Sequence, residues 1–358
     1  MARDSGTDDP RVRIRPDKRG SRPRTKVRPS YEDAEPAMVL TVDRGRYGVL
    51  LDAGLPSRRE IVAVKAKELG RDGGHRGQSA IVVGDRVRVV GDTSGSAGSL
   101  ARIVGRDERS SVLRRSLEES ASGYERVIVA NADQLVIVVA AAQPEPRPRL
   151  VDRCLVAAYD AGMDPLLCLT KADLADPAEF LERYAALDVP WVITSSMTDD
   201  PQHDAGLSAL HERLAGRTSV LVGHSGVGKS TLVNALVPAA SRATGEVNTV
   251  TGRGRHTSSS AVALELTGSG HQVNAGWIID TPGVRSFGLQ HVKPEDLLAA
   301  FEDLAEAATA CPRGCTHGEG APDCALDRWA EQADPASRAR LASFRRLLES
   351  RTPEQPGR

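Results

Sequence analysis

Gly223-His224-Ser225-Gly226-Val227-Gly228-Lys229-Ser230 decides how this chain is read. The stretch follows an apolar run, Val220 to Val222, precedes a helical pattern from Lys229 to Leu236, and fits G-x-x-x-x-G-K-[ST]. Glycines let the backbone curl tightly, so that successive amides and the positive end of the helix dipole face an anion. Gly223 through Ser230, with Thr231 beside them, are therefore candidate phosphate contacts. Lys229 would reach the β- and γ-phosphates, and the Ser230 hydroxyl would ligate Mg2+.

Two further motifs bracket the loop. Upstream, Leu169 ends an apolar strand and Thr170-Lys171-Ala172-Asp173 follows, close to the N/T-K-x-D pattern. A fixed carboxylate at Asp173 can accept from both the ring N–H and the exocyclic amine of guanine, donors that adenine lacks. The Lys171 stem would lie over the ring plane, and Ser195-Ser196, after the run Trp191 to Thr194, would meet the guanine O6. Alone, T-K-x-D is a weak string; its position at the carboxyl end of a strand strengthens it. Downstream, Ile278-Ile279-Asp280-Thr281-Pro282-Gly283 is a strand ending in D-x-x-G, where Asp280 would hold the Mg2+ shell and the Gly283 amide would sense the γ-phosphate. Between them lies a candidate switch segment, Arg253-Gly254-Arg255-His256-Thr257. Base recognition thus precedes the phosphate loop instead of following D-x-x-G, so the motif order is circularly permuted. A permuted chain can keep the same sheet, because domain termini tend to lie close together at the surface.

Around this core the chain divides by pattern. Residues 1–37 form a flexible basic arm: between Arg11 and Arg28 nine basic side chains face one acid, Asp17. It is either a solvated tail or an RNA-phosphate tether. Residues 38–113 carry short β-branched runs (Val39 to Val42, Tyr47 to Leu51, Ile61 to Val64, Ile81 to Val90, Leu100 to Val104), which suggest a small barrel, led by an oligonucleotide-binding type, with Gly84-Asp85 as a bulge or tight bend. Residues 114–290 alternate strand and helix patterns, the signature of an α/β fold with a parallel sheet covered on both faces, and Val127 to Ala130 is read as one of its strands. Residues 291–350 turn helical, with Pro294 at a first helical position, and 351–358 form a tail.

The five cysteines are an odd number, which argues for free thiols or metal ligands over a disulfide framework. Cys311, Cys315, His317 and Cys324 offer three thiolates and an imidazole within fourteen residues, a tetrahedral structural zinc pattern with no open position for catalysis. Cys154 and Cys168 read as core residues. In the last helical stretch, Leu341, Phe344 and Leu348 share a face ringed by Arg338, Arg345 and Arg346, which suits packing and RNA contact equally. With 3% aromatic residues and a net charge of -1, any nucleic-acid contact must rest on local basic patches and backbone groups, not on base stacking. There is no secretory pattern in the first thirty residues, and the run Leu135 to Ala142 is too short to span a bilayer, so no membrane partner and a cytoplasmic location are expected.

Together the barrel, the permuted motifs and the Cys/His cluster resemble the ribosome small subunit-dependent GTPase A family, over about residues 38 to 350. The quoted Gly223 to Ser230, Arg253 to Thr257 and Cys311 to Cys324 motifs all look like those of that family. The resemblance implies binding of GTP and GDP with Mg2+, one structural Zn2+, and GTP hydrolysis stimulated by the small ribosomal subunit and its rRNA during late maturation. Off the ribosome the chain is expected to be a monomer. Thr170 stands where the family usually has Asn, which bears on nucleotide affinity more than on guanine preference. Val284 follows Gly283 where many GTPases place a water-orienting Gln, so slow intrinsic turnover is expected, with His256 the in-chain group that positions water alongside Lys229 and Asp280. Two rivals remain on sequence grounds: an ATP-using P-loop enzyme, and a scaffold that holds GTP on RNA without turnover.

Overall fold

In the computed structural model, the described residues are 31–53, 55–70, 80–116, 125–195, 205–238, 261–266, 276–281, 287, 289 and 291–351. The chain divides into two units, Met1–Glu32 and Asp33–Arg358, and every described strand and helix belongs to the second. The expected basic arm, except its last residues, and the tail beyond Arg351 lie outside the described residues; Glu35 to Ala37, placed in the arm by sequence, already belong to a strand.

Strands β1 (Glu35–Asp43), β2 (Arg46–Leu51), β3 (Arg59–Lys65), β4 (Arg86–Gly91) and β5 (Ala101–Arg106) pair in the order β1-β2-β3-β5-β4, and β4 returns to β1. The result is a closed five-stranded barrel, which leaves no free edge. Only β3 and β5 run parallel; the other pairs are antiparallel. The two-residue alternation turns Val39, Val49, Ile61, Val87, Val89 and Ile103 inward into one cluster. The expected strand Ile81 to Val90 is broken, and the reason is Gly84-Asp85. Gly84 adopts a left-handed φ of 86°, and a Cβ there would fall 2.0 Å from the Ala130 carbonyl oxygen. Asp85, fully buried, accepts from Arg109 at 2.7 and 2.8 Å and from the Val82 amide at 2.8 Å. Removing either member of this pair would leave the other charge buried and unpaired.

Strands β6 (Val112–Ser116) and β7 (Glu125–Ala130) form a separate two-stranded antiparallel sheet. This corrects the placement of Val127 to Ala130 in the parallel sheet: alternation identified a strand, but the partner is set by β6, which runs across position 113–114.

The large sheet is built on β8 (Gln134–Ala140), all seven of whose residues are buried, as a strand covered on both faces requires. Helix α1 (Pro148–Asp160) leads to β9 (Asp164–Thr170); α2 (Ala178–Glu182) precedes β10 (Trp191–Ile193); α3 (Ala205–Leu214) leads to β11 (Thr218–Val222), and α4 (Lys229–Leu236) follows. Strands β12 (Val262–Glu265) and β13 (Trp277–Asp280) complete the order β10-β9-β8-β11-β13-β12. All neighbours are parallel except β12, which is antiparallel to β13. Val151 and Leu155 of α1 cover one face of the sheet, while Leu210 of α3 and Leu232 and Val233 of α4 cover the other. Cys154 and Cys168 are buried core residues, as expected. At the sheet's end β12 meets β1 of the barrel at Val262 and Thr41, and Leu40 and Leu50, on the outside of the barrel, bury into the core under α1.

Helices α5 (Pro294–Leu298), α6 (Glu302–Ala308), α7 (Ala325–Gln332) and α8 (Pro335–Ser350) form the carboxyl-terminal region. Asp334 caps α8 by accepting the Ala336 and Ser337 amides. Leu341, Phe344 and Leu348 bury in the same core as α1. The arginines ringing them are engaged within the protein: Arg346 pairs with buried Asp152 at 3.2 Å and lies 5.4 Å over the Tyr184 ring, while Arg345 donates to Asp327 and to the His317 carbonyl. Burial pushes the Asp152 carboxyl above its usual range and Arg346 opposes the shift. For Arg345 and Arg346, packing is the reading the geometry supports.

Candidate functional site

Strand β11 ends at Val222 and α4 begins at Lys229, so the loop between them stands at the carboxyl edge of the sheet. Gly223 packs so closely on β8 that a Cβ would meet the Val138 carbonyl oxygen at 2.3 Å, and Gly226 and Gly228 take left-handed φ values of 82° and 98°. No side chain caps α4, which leaves its first amides directed into the loop. The Lys229 ammonium sits inside the curl, donating to the carbonyls of Gly223 at 2.6 Å and His224 at 2.9 Å. His224 turns its ring to the Ser225 carbonyl at 3.0 Å. Ser225, Ser230 and Thr231 are exposed, and Val227 is buried beneath the loop.

Asp280, at the end of β13, faces the same region. Burial raises its carboxyl above the usual range, and the nearby Lys229 ammonium opposes that shift; burial lowers Lys229, and Asp280 opposes that in turn. Each charge is thus favoured by the other in a poorly solvated place. Next to Asp280, the buried Thr281 hydroxyl donates to the Leu221 carbonyl at 2.9 Å and ties β13 to the loop's own strand. Sequence reasoning passed over Thr281; the available signal was a polar residue at the end of an apolar run.

The segment Thr170–Asp173 meets the loop directly. The Thr170 hydroxyl, buried, donates to the Val227 carbonyl at 2.6 Å. Lys171, with a left-handed φ of 58°, donates its ammonium to the Gly226 carbonyl at 2.8 Å and to the Gln143 carbonyl. Gln143 belongs to the loop after β8, which no sequence feature marked. Exposed Asp173 accepts from the Ser195 hydroxyl at 3.2 Å, so the segments after β9 and β10 converge on one carboxylate. Ser196, His256, Thr257 and Gly283 lie outside the described residues, as does Val284. A cavity of about 460 Å³ lined by Gln134, Tyr159, Asp164 and Arg217 opens at the amino ends of β8 and β9, the other end of the sheet from these residues.

A second cluster lies between α6 and α7. The ligand atoms of Cys311, Cys315, His317 and Cys324 all fall within 4.8 Å of one another. Tetrahedral zinc, with Zn–S of about 2.3 Å and Zn–N of about 2.0 Å, sets sulfur–sulfur and sulfur–nitrogen separations of about 3.8 and 3.5 Å. Cys311 Sγ stands 4.0 Å from Cys324 Sγ and 3.6 Å from His317 Nδ1, so the donor set fits such an ion. Burial lowers the His317 imidazole below its ordinary range, favouring the neutral form that ligates metals.

The described residues include no helix long and apolar enough to cross a membrane. The family model for RsgA GTPase matches residues 106–290. A curated relative in Pseudomonas aeruginosa (strain LESB58), named small ribosomal subunit biogenesis GTPase RsgA, is 36% identical over 278 residues, covering 76% of each chain. A relative of the same name in Ectopseudomonas mendocina is 38% identical over 76% of this chain and 75% of its own. Among solved structures, YjeQ from Thermotoga maritima matches with a TM-score of 0.59 and 24% identity over 88% of this chain and 99% of that one. YloQ, described as a circularly permuted GTPase, matches with a TM-score of 0.58 and 24% identity over 91% and 99%.

Proposed function

Because the chain belongs to the RsgA GTPase family and is thereby a GTP-hydrolysing enzyme, we propose that it binds the small ribosomal subunit and its rRNA, converting GTP to GDP and phosphate during late subunit maturation in the cytoplasm. The subunit stimulates turnover, and the chain is a monomer when off the ribosome. The relatives' names support the partner. One observation carries the site: Thr170 and Lys171 donate to the carbonyls of Val227 and Gly226, so a base-binding segment and a phosphate loop more than fifty residues apart share one wall.

In this reading Asp173 accepts from guanine, with Lys171 over the ring and Ser195 and Ser196 beside O6. The amides of Gly223 to Ser230 and the first turn of α4, Thr231 included, hold the phosphates, and Lys229 leaves its loop carbonyls for the β- and γ-oxygens. Ser230 and Asp280 would hold Mg2+, which would neutralise charge on the phosphates. Thr257 and the Gly283 amide meet the γ-phosphate, and His256 orients the attacking water. Zn2+ on Cys311, Cys315, His317 and Cys324 is structural, since four protein ligands leave no open position. Residues 35–113 act as the barrel, 114–290 as the GTPase domain and 291–350 as the zinc region, with the arm before Glu35 as an added basic tether.

The test is phosphate release by the purified chain alone, with small subunits and with large subunits. Small subunits alone are expected to raise the rate strongly, and His256→Ala to abolish that rise while GTP binding persists. Equal rates under all three conditions would overturn the proposed partner, and a stimulated rate that survives His256→Ala would overturn the role of His256.

A further inference from the structure

Part of the outside of the barrel is covered by the rest of the protein. Oligonucleotide-binding barrels are commonly read through the face of strands 2 and 3. Here Leu40 and Leu50, on the outer faces of β1 and β2, are buried in the core under α1, and Met38 and Val42 pack against that core. Among the described residues, the exposed outward side chains of β3, β4 and β5 include Glu60, Arg86, Arg88 and Arg102.

On this surface the alternation places arginines outward. Val87 and Val89 point into the barrel, so Arg86 and Arg88 point out; Ala101 and Ile103 point in, so Arg102 points out, and all three arginines are exposed. Arg102 stands opposite Val90, and Gly105 opposite Arg88, whose Cβ would lie 3.4 Å from any side chain at 105. The absence of a side chain at Gly105 leaves the Arg88 stem uncrowded. At about 3.4 Å per residue, the backbone positions of Arg86 and Arg88 stand roughly 7 Å apart along β4, and Arg102 stands across from the next outward position, Val90. Arg88 pairs with Asp107 at 3.2 Å in an exposed contact, while among the described residues no ion pair or side-chain hydrogen bond engages Arg86 or Arg102. An exposed pair of this kind contributes little and exchanges readily for another anion.

The face also lacks what single-strand recognition uses. Between residues 35 and 106 Tyr47 is the one Phe, Tyr or Trp residue, and its ring is buried inside the barrel. A surface with guanidiniums and no ring reads phosphates, not unstacked bases. We propose that the β4–β5 face, through Arg86, Arg88 and Arg102, binds the phosphate backbone of a double-stranded segment of RNA without reading its sequence. This inference rests on the proposed binding to the small subunit and locates part of it.

The test is binding of the full chain, loaded with a non-hydrolysable GTP analogue, to purified small subunits across a salt series, with the triple variants Arg86→Gln/Arg88→Gln/Arg102→Gln and Arg86→Lys/Arg88→Lys/Arg102→Lys. Each phosphate contact contributes about one unit to the slope of log affinity against log salt. The Gln variant is expected to bind roughly tenfold more weakly or worse at low salt with a slope shallower by two to three, and the Lys variant to keep the parent slope. A parent chain and Gln variant with equal affinities and slopes would overturn this inference alone, as would weaker binding at an unchanged slope, the signature of a protein partner. A parent chain that binds no subunits would overturn the proposed function, and this inference with it.

Discussion

Strand β8 and the loop from Cys311 to Cys324 stand at opposite extremes of how a chain is held in place. Every residue of β8 is buried, its Val and Ile side chains packed under helices on both faces. Of the twelve residues between Cys311 and Cys324, His317 is the one that is buried, and its neighbours are mostly Pro, Arg, Gly, Glu and Asp. The first segment is ordered by removing apolar surface from water, at roughly 25 cal/mol per Å². The second has almost none to remove; Arg345 holds its His317 carbonyl, and a metal on the four atoms gathered within 4.8 Å would supply the rest of its order. Burial orders the sheet beneath the candidate nucleotide site, whereas the Cys311–Cys324 loop is a segment that a bound metal would order.

The largest effect that would undo this contrast is on the metal side. Binding of a structural zinc is coupled to folding at about 10 kcal/mol or more. Chelation, or Cys324→Ala, is expected to release zinc and expose residues 312–323 to protease, with zinc content and cleavage mapping as the readouts. A metal-free chain with undiminished protection there would mean that packing, not coordination, orders the loop. A smaller effect is expected at the base pocket. Asp173→Asn removes a charged acceptor of two guanine donors, costing about 3 kcal/mol or roughly a hundredfold in GTP affinity, with preference moving to xanthosine nucleotides. Unchanged selectivity in nucleotide titrations would reopen the ATP-using reading. The smallest effect is at the wall between base and phosphate. Thr170→Val keeps the shape but takes one donor from the Val227 carbonyl, an expected loss of about 1 kcal/mol, or about fivefold in GTP affinity by calorimetry. No loss would mean that the loop is held without the hydroxyl.

The parts of the site legible in the sequence are those where chemistry admits few residue types. The glycine-lysine loop, the Thr170 to Asp173 string and the Cys/His spacing each state a local requirement, and the strand before each nucleotide motif and the helix Lys229–Leu236 followed from period and length. The illegible parts depend on partners. Strand β12 is four residues, Val-Ala-Leu-Glu, too short for alternation to stand out, and it exists because β13 and β1 offer it edges. Val127 to Ala130 read correctly as a strand and went to the wrong sheet, since period says nothing about which strand lies alongside. The arginines of α8 were ambiguous because a charge on a helix rim looks the same whether its counter-charge is solvent, RNA or, as for Arg346, a buried Asp152 almost two hundred residues away.

Residue order alone marked the candidates: a loop that can take phosphate, a carboxylate suited to guanine, four residues with metal-ligand spacing, and the permuted succession in which they come. It took the folded chain to show that Thr170 and Lys171 hold the loop between β11 and α4, that Thr281 ties β13 to β11, and that one side of the barrel is buried while Arg86, Arg88 and Arg102 face out. The reason is physical: bond geometry and residue chemistry act over a few positions along the chain, whereas hydrogen bonds and burial between distant segments exist only once the sheet has brought them together.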